Sequence, residues 1–436
     1  MSKQLTLDLE LDNPSLLLCS AKRTAVEKMG LHEWHPYYAG YSEAFVESAI
    51  RYLGCDRNSL LLDPWGGSGT TGIVAAKTGI PSICLDINPV MAIFAAAKSS
   101  QVLSREPEIL DFLTTIKDVI SSKYDPNNQE PLNQIFTPET ARLIRSVVEV
   151  IPVKKNWEKS CSGIYGRLPS IDPVRAFYLS VIFVSLRKMS GIKPGSNPTW
   201  IAKNDEKVAL SPQKLIEQIR ANAVKMLREI REFYAVENKI IPHFSWEGDA
   251  RNMPLSRESV DALIASPPYL TRIDYAISTM PEIYLLGGED LLARVRHQTM
   301  GAPVITKGEK YQKESWGPTC NFLLDSIKKH PTKAAKSYYW KNIVQYCMDL
   351  DKALDEIKRV LKPGGKGLIV VQNSYFKDLE IPLAKIYCEF AVRKGFAAEI
   401  VRTERVKNHL ARVNSKSSYY KREKVYYESV VSIVSC

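Results

Sequence analysis

Two short stretches of the chain gather residue types that chemistry needs. Ser266-Pro267-Pro268-Tyr269 follows the apolar run Val260–Ala265. Consecutive prolines fix φ and donate no N–H, so the carbonyls of Ser266 and Pro267 are expected to be rigid and free to accept. Tyr269 puts a flat ring beside them. The second stretch, Asp63-Pro64-Trp65-Gly66-Gly67-Ser68-Gly69-Thr70-Thr71, follows the apolar run Ser59–Leu62. Glycines there permit a sharp turn and let a ligand approach without a Cβ in the way. A helix starting behind the loop would offer unpaired N–H groups. Asp86 ends the next apolar run, where a carboxylate can accept both hydroxyls of a ribose. Read singly, these are a tight turn, a strand-capping acid and a packed tyrosine. Read together, they point to an adenosine-containing cofactor. The glycine spacing is not GxGxxG and the loop lacks the lysine of a P-loop, which argues against a nucleoside triphosphate.

The elements that must position these residues follow from apolar periodicity and breakers. Ser59–Leu62, the glycine loop, a helix over Ile73–Lys77 and a strand Ser82–Leu85 ending at Asp86 make the opening of a doubly wound α/β sheet. Residues 99–243 are mostly helical in periodicity, with a polar loop at Lys193–Pro212; one helix, starting at Asp172-Pro173, covers the apolar stretch Val174–Leu186. Strands resume at Phe244–Asp249 and Val260–Ala265. An irregular stretch is expected over about 270–337, then a long helix Tyr339–Leu361, a turn at Lys362-Pro363-Gly364-Gly365 and a strand Gly367–Val371. The tail reads as a helix Ile381–Lys394 and two β-rich runs, Ala398–Arg402 and Val425–Val434. One sheet thus carries two insertions. Insertions at the carboxyl ends of strands sit where open α/β sheets bind ligands, so both are candidates for substrate recognition.

The loop Asp63–Thr71 resembles the S-adenosyl-L-methionine loop of amino-methyltransferases acting on DNA, and four further segments match that family in chain order. His35-Pro36-Tyr37-Tyr38-Ala39-Gly40-Tyr41 looks like the segment touching the methionine end of the cofactor, with Tyr38 in it. Gly248-Asp249-Ala250 resembles the turn after strand three, whose acid reads the adenine amino group. Ser266–Tyr269 resembles the catalytic motif, and Leu361–Gly365 the turn before strand five. The resemblance covers 31–98 and 244–434, and leaves 99–243 unmatched. It implies a class I methyltransferase fold: a first part over 31–98 with the cofactor loop, a helical insertion over 99–243, and a second part over 244–436 carrying the motif and the insertion 270–337. It further implies that Asp63, Pro64, Gly66, Gly67, Gly69, Thr70, Asp86, Asp249 and Ala250 bind the cofactor.

For such an enzyme the amino nitrogen of a base is a poor nucleophile, because its lone pair is delocalised into the ring. Two rigid acceptors pulling on its hydrogens would aim that lone pair at the methyl group, while Tyr269 stacks on the extruded base. In this family Ser at the first motif position goes mostly with N4 of cytosine, and Asp or Asn with N6 of adenine. Ser266 therefore points to cytosine-N4, with adenine-N6 the alternative and an RNA base a weaker one. Methylation at ring carbon five uses a cysteine after a proline, and none of the eight cysteines here follows a proline. Their scatter also suits neither a metal site nor a disulfide framework, so a cytoplasmic protein with reduced thiols is expected.

The formal net charge of +11 suggests a polyanionic partner. Ten Lys or Arg stand against three acids over 291–345, and eight against three over 401–436. The first of these segments interleaves Tyr311, Trp316, Tyr338, Tyr339 and Trp340 with its lysines, a combination suited to phosphates and to a duplex with one base flipped out. Lys193-Pro194-Gly195-Ser196-Asn197-Pro198-Thr199-Trp200 reads equally well as a second contact or as a surface turn. The expected partner is double-stranded DNA, with a companion restriction endonuclease implied by resemblance. No signal peptide is expected, and no apolar run approaches the ~18 residues of a membrane span.

Overall fold

The computed structural model describes residues 18–24, 26–35, 40–119, 130–152, 171–192, 206–235, 241, 243–270, 274–305, 316–406 and 424–436. The apolar runs assemble into one seven-stranded sheet: β1 Leu61–Asp63, β2 Ser82–Asp86, β3 Phe244–Glu247, β4 Val260–Ala265, β5 Leu361–Gln372, β8 Phe396–Arg405 and β9 Tyr427–Ser435, in the order β3-β2-β1-β4-β5-β9-β8. A hairpin of β6 Ser374–Phe376 and β7 Leu379–Ile381 stands apart. Pairings from β3 to β5 are all parallel, and β9 runs antiparallel between β5 and β8. This is a mostly parallel, doubly wound Rossmann-like sheet with helices on both faces, the fold class expected above. The chain reverses direction across the sheet between β1 and β4, and a crevice opens there at the strands' carboxyl ends.

Several helices begin with the same device. Asn88, Thr137, Asp172 and Ser211 each cap a helix with their side-chain oxygen, and a proline follows each at the first helical position. Helix Pro173–Met189 is buried on nearly all sides because it lies between helices Pro89–Ala97 and Pro212–Tyr234. One apolar core therefore runs from Leu61, Ile264 and Val370 of the sheet into Phe177, Phe183 and Ile219 of the 99–243 segment. A second core lies on the sheet's other face, under helices Pro318–Lys329, Trp340–Val360 and Leu383–Arg393.

Two expectations change. The stretch 270–337 is not irregular where described: it forms helices Tyr275–Ser278, Met280–Leu286, Gly288–Gln298 and Pro318–Lys329. These helices run from 4 to 12 residues and start at Tyr275, Met280, Gly288 and Pro318, so no long apolar period announced them. Lys362–Gly365 is also no simple turn. β5 already starts at Leu361, and the pairing register with β4 shifts between Val260 and Ala262, with Gly364 at φ 74° in the irregularity. No helix among the described residues is long and apolar enough to cross a membrane.

Candidate active site

The glycine loop is a tight fit between β2 and helix Pro89–Ala97. Gly66 N–H donates to the Leu85 carbonyl at 2.7 Å, and a Cβ on Gly66 would stand 2.8 Å from Cys84 Cβ. Gly69, at φ 88°, would place a Cβ 2.7 Å from that of Ala95. Gly67 N–H donates to Asp86 Oδ2 at 2.9 Å, and Asn88 N–H to Asp86 Oδ1 at 2.8 Å. Each oxygen keeps a lone pair, since a carboxylate has about four acceptor sites. Burial pushes the Asp86 carboxyl up to about 7, although the group retains some exposure because it faces a cleft.

Asp63 is placed differently. It is 1% exposed, and the hydroxyls of Tyr41 and Thr71 each donate to its Oδ2 at 2.5 Å while Trp65 N–H reaches Oδ1 at 3.1 Å. Burial raises it to about 6. Its carboxylate thus ties β1 to the helix behind the loop and to the segment before β1. Thr70 is buried and accepts from Arg23 Nη2 at 2.6 Å. Lys98, also buried, donates to the Ser68 carbonyl at 2.8 Å, and burial lowers it to about 7. Arg23 and Lys98 were missed in the sequence, where a single Arg or Lys outside any motif carries no signal. Tyr38 and Lys193–Trp200 lie outside the described residues, as do 306–315 and 407–423.

One cleft, of about 670 Å³ including its open mouth, joins the two halves of the motif set. Pro64, Asp86, Asp249 and Ala250 line it on one side, Ser266 and Pro268 on another, and Tyr275, Thr279, Gln298 and Met300 roof it. Gly66, Gly67, Gly69 and Thr70 form the turn beneath, while Pro267 is buried and Tyr269 half-buried outside the lining. Asp249 does not stand alone: Arg251 Nε and Nη2 grip its carboxylate, Nη2 at 2.8 Å, and Arg251 Nη1 reaches Asp349 at 2.6 Å.

The Ser266–Tyr269 turn is anchored from behind. Tyr346 Oη donates to the Pro268 carbonyl at 3.0 Å and lies 3.0 Å from Tyr387 Oη. Among the described residues no donor reaches the Ser266 or Pro267 carbonyl. The Tyr269 hydroxyl stands 3.4 Å from Ser266 Oγ, and burial raises its pKa well above the ordinary tyrosine value.

The basic segment needs one correction and one refinement. Trp316 is fully buried and stacks on Phe390 at 6.0 Å, so it belongs to the second core and not to an aromatic face for nucleic acid. Arg294 pairs with Glu247 and Arg296 with Asp274, so those two cations are used internally. Lys328, Lys329, Lys333 and Lys336 remain exposed, Lys328 lying 5.2 Å over the Trp340 ring.

No family model matches the chain. Among curated proteins it is similar to the type II methyltransferase M.BsoBI of Geobacillus stearothermophilus, 21% identical over 406 residues covering 87% of this chain and 75% of the relative. M.AvaI of Nostoc sp. is 22% identical over 391 residues, covering 84% of this chain and 79% of its own. M.MvaI of Kocuria varians is 21% identical over 350 residues, covering 76% and 73%. A match over 87% of the chain must run through most of 99–243, the part that carries none of the family's motifs.

Proposed function

We propose that this chain is a site-specific DNA methyltransferase that moves a methyl group from S-adenosyl-L-methionine to an exocyclic amino group of a flipped base, N4 of cytosine. The observation that carries the reading is the single cleft bounded by Asp86 and Asp249 at one end and by Ser266 and Pro268 at the other. Similarity to three type II methyltransferases supports the reaction class. The choice of cytosine rests on Ser266 alone, and a companion restriction endonuclease belongs to the same reading.

The residues present fit the cofactor. Asp86 keeps an acceptor on each oxygen for the two ribose hydroxyls, and the loop at Gly66 and Gly69 has no room for side chains that would hold a ligand off. When bound, the sulfonium supplies an electrophilic methyl group. The protein's part is positioning. The Pro268 carbonyl accepts from Tyr346, and the Ser266 and Pro267 carbonyls, which no described donor reaches, are the acceptors offered to the two amino hydrogens. They draw the nitrogen out of conjugation and hold its lone pair toward the methyl group. No thiolate is needed, and Cys84, Cys320 and Cys347 are all buried.

The test is to express the chain with plasmid DNA and analyse the nucleosides by mass spectrometry. N4-methylcytosine is expected. N6-methyladenine would move the reading to the other amino group, and unmodified DNA in the presence of folded protein would overturn it.

A further inference from the structure

The acid after β3 is the residue that the family resemblance assigns to the cofactor's adenine, yet most of its acceptor sites are already engaged by Arg251. Asp249 Oδ1 accepts Arg251 N–H and Nε, both at 2.9 Å, and Oδ2 accepts Nε at 3.1 Å and Nη2 at 2.8 Å. Nε carries one hydrogen and shares it between the two oxygens, so three N–H groups of Arg251 occupy most of the lone-pair sites of the carboxylate. Beside it in the same cleft stands Gln298, at the end of helix Gly288–Gln298. Its side-chain oxygen is buried and has no hydrogen-bond partner among the described residues. Its backbone carbonyl accepts from Arg251 Nη2 at 2.7 Å, so the arginine that grips Asp249 also fixes where Gln298 sits.

A buried amide oxygen without a partner is costly, so a ligand that supplies the missing donor recovers that free energy on binding. Adenine offers an amino donor next to a ring-nitrogen acceptor, and a glutamine amide offers the complementary acceptor and donor. We infer that Gln298 reads the cofactor's adenine edge, with Asp249 acting through Arg251 as a positioning residue. The inference rests on the cofactor proposed above, and it assigns adenine selectivity to a residue from the roof helices, outside the β3 turn.

The test compares binding of S-adenosylhomocysteine and S-inosylhomocysteine by calorimetry. Hypoxanthine replaces the amino donor with a carbonyl and the ring acceptor with N–H, reversing both halves of the pair. The wild-type chain should prefer the adenine compound. Gln298→Leu should weaken S-adenosylhomocysteine about tenfold and leave S-inosylhomocysteine nearly unchanged, so the preference collapses. Gln298→Met, which keeps length and burial, should do the same; a thermal melt confirms that each variant is folded. An unchanged preference in both variants overturns the inference and leaves the cofactor reading intact, as does a preference abolished only by Asp249→Asn. Failure of the wild-type chain to bind either compound overturns both.

Discussion

The floor of the cleft, made by the ends of β1, β2 and β3, is set by close approach of the glycine loop, with Gly66 N–H on the Leu85 carbonyl and Gly67 N–H on the Asp86 carboxylate, where a Cβ on Gly66 or Gly69 would collide. The roof, 274–300, is held by charge. Arg187 grips Glu282 through Nε at 2.7 Å and Nη2 at 2.8 Å, and donates to the Ser278 carbonyl at 2.8 Å. Arg145 joins Glu130 to the carbonyls of Tyr284 and Leu285, and Arg296 holds Asp274 at 2.9 Å. The contrast separates two kinds of specification. A floor built from local turns is fixed by residue types within one stretch of chain. A roof built this way also depends on distant partners, Arg187 lying 95 residues from Glu282 and Arg145 140 from Leu285, both supplied by the 99–243 segment.

The contrast is broken most severely at Arg187. Glu282 is 1% exposed, so Arg187→Ala leaves a buried carboxylate without its main partner. The expected loss is about 3–5 kcal/mol of folding stability, read by denaturant unfolding. Hydrogen exchange should show protection lost over 274–300 before it is lost over 61–86. Equal protection of floor and roof in the variant would mean that the two are one unit.

A smaller effect separates the floor by pH. Burial holds Asp86 at about 7, so below that pH its carboxyl is protonated. Because its folded value is raised, the group favours the folded state fully only near and below pH ~4, and that stability is lost as pH rises through about 7. Ribose hydroxyls donate to the ionised form, so cofactor binding should strengthen as pH rises, by about tenfold between pH 6 and 8. Asp63 and Lys98 also lie near the loop with shifted values. The control is therefore Asp86→Asn, which should flatten the Asp86 part of the profile and leave theirs. A wild-type profile unchanged by Asp86→Asn would remove Asp86 from the ribose site.

How much could be read in advance follows the same division. β1, the glycine loop, β2 and Asp86 were legible because period, breakers and acid fall within 28 residues, Ser59–Asp86. The strand with Ser266–Tyr269 was legible for the same reason. Asp249 was legible as a turn residue but not as the partner of Arg251 and Asp349, because side-chain pairing leaves no periodic trace. Gln298 and Tyr346 belong to helices whose sequence is ordinary, and only the fold shows that they face the cleft and the Pro268 carbonyl. Trp316 misled because aromatics among lysines look alike whether they face phosphate or Phe390.

Outside the cleft, the exposed lysines test whether the roof's neighbour carries DNA. Replacing Lys328, Lys329 and Lys333 by Gln together should lower the slope of log affinity against log salt by up to about 2.7, at ~0.9 per phosphate contact. The measurement is duplex binding at several salt concentrations. An unchanged slope would move the contact to other residues and leave floor and roof as described.

The last test concerns Tyr269, which stands between the two constructions. Its hydroxyl is 3.4 Å from Ser266 Oγ, at the long end of hydrogen bonding. Its ring packs against the second core next to Ser266. If the ring also stacks on the extruded base, Tyr269→Ala should slow single-turnover methyl transfer about tenfold to a hundredfold, the equivalent of ~1–3 kcal/mol of stacking. Tyr269→Phe keeps the ring and the packing and removes only a weak hydroxyl contact, so it should stay within about threefold of the wild-type rate. The pair separates ring from hydroxyl without touching Asp86, so S-adenosylhomocysteine affinity should be the same in both variants. A Phe variant as slow as the Ala variant would assign the work to the hydroxyl, and the Ser266–Tyr269 contact would then matter for aligning the Ser266 side chain. An Ala variant at the wild-type rate would make Tyr269 a packing residue and leave the base to stack elsewhere in the cleft.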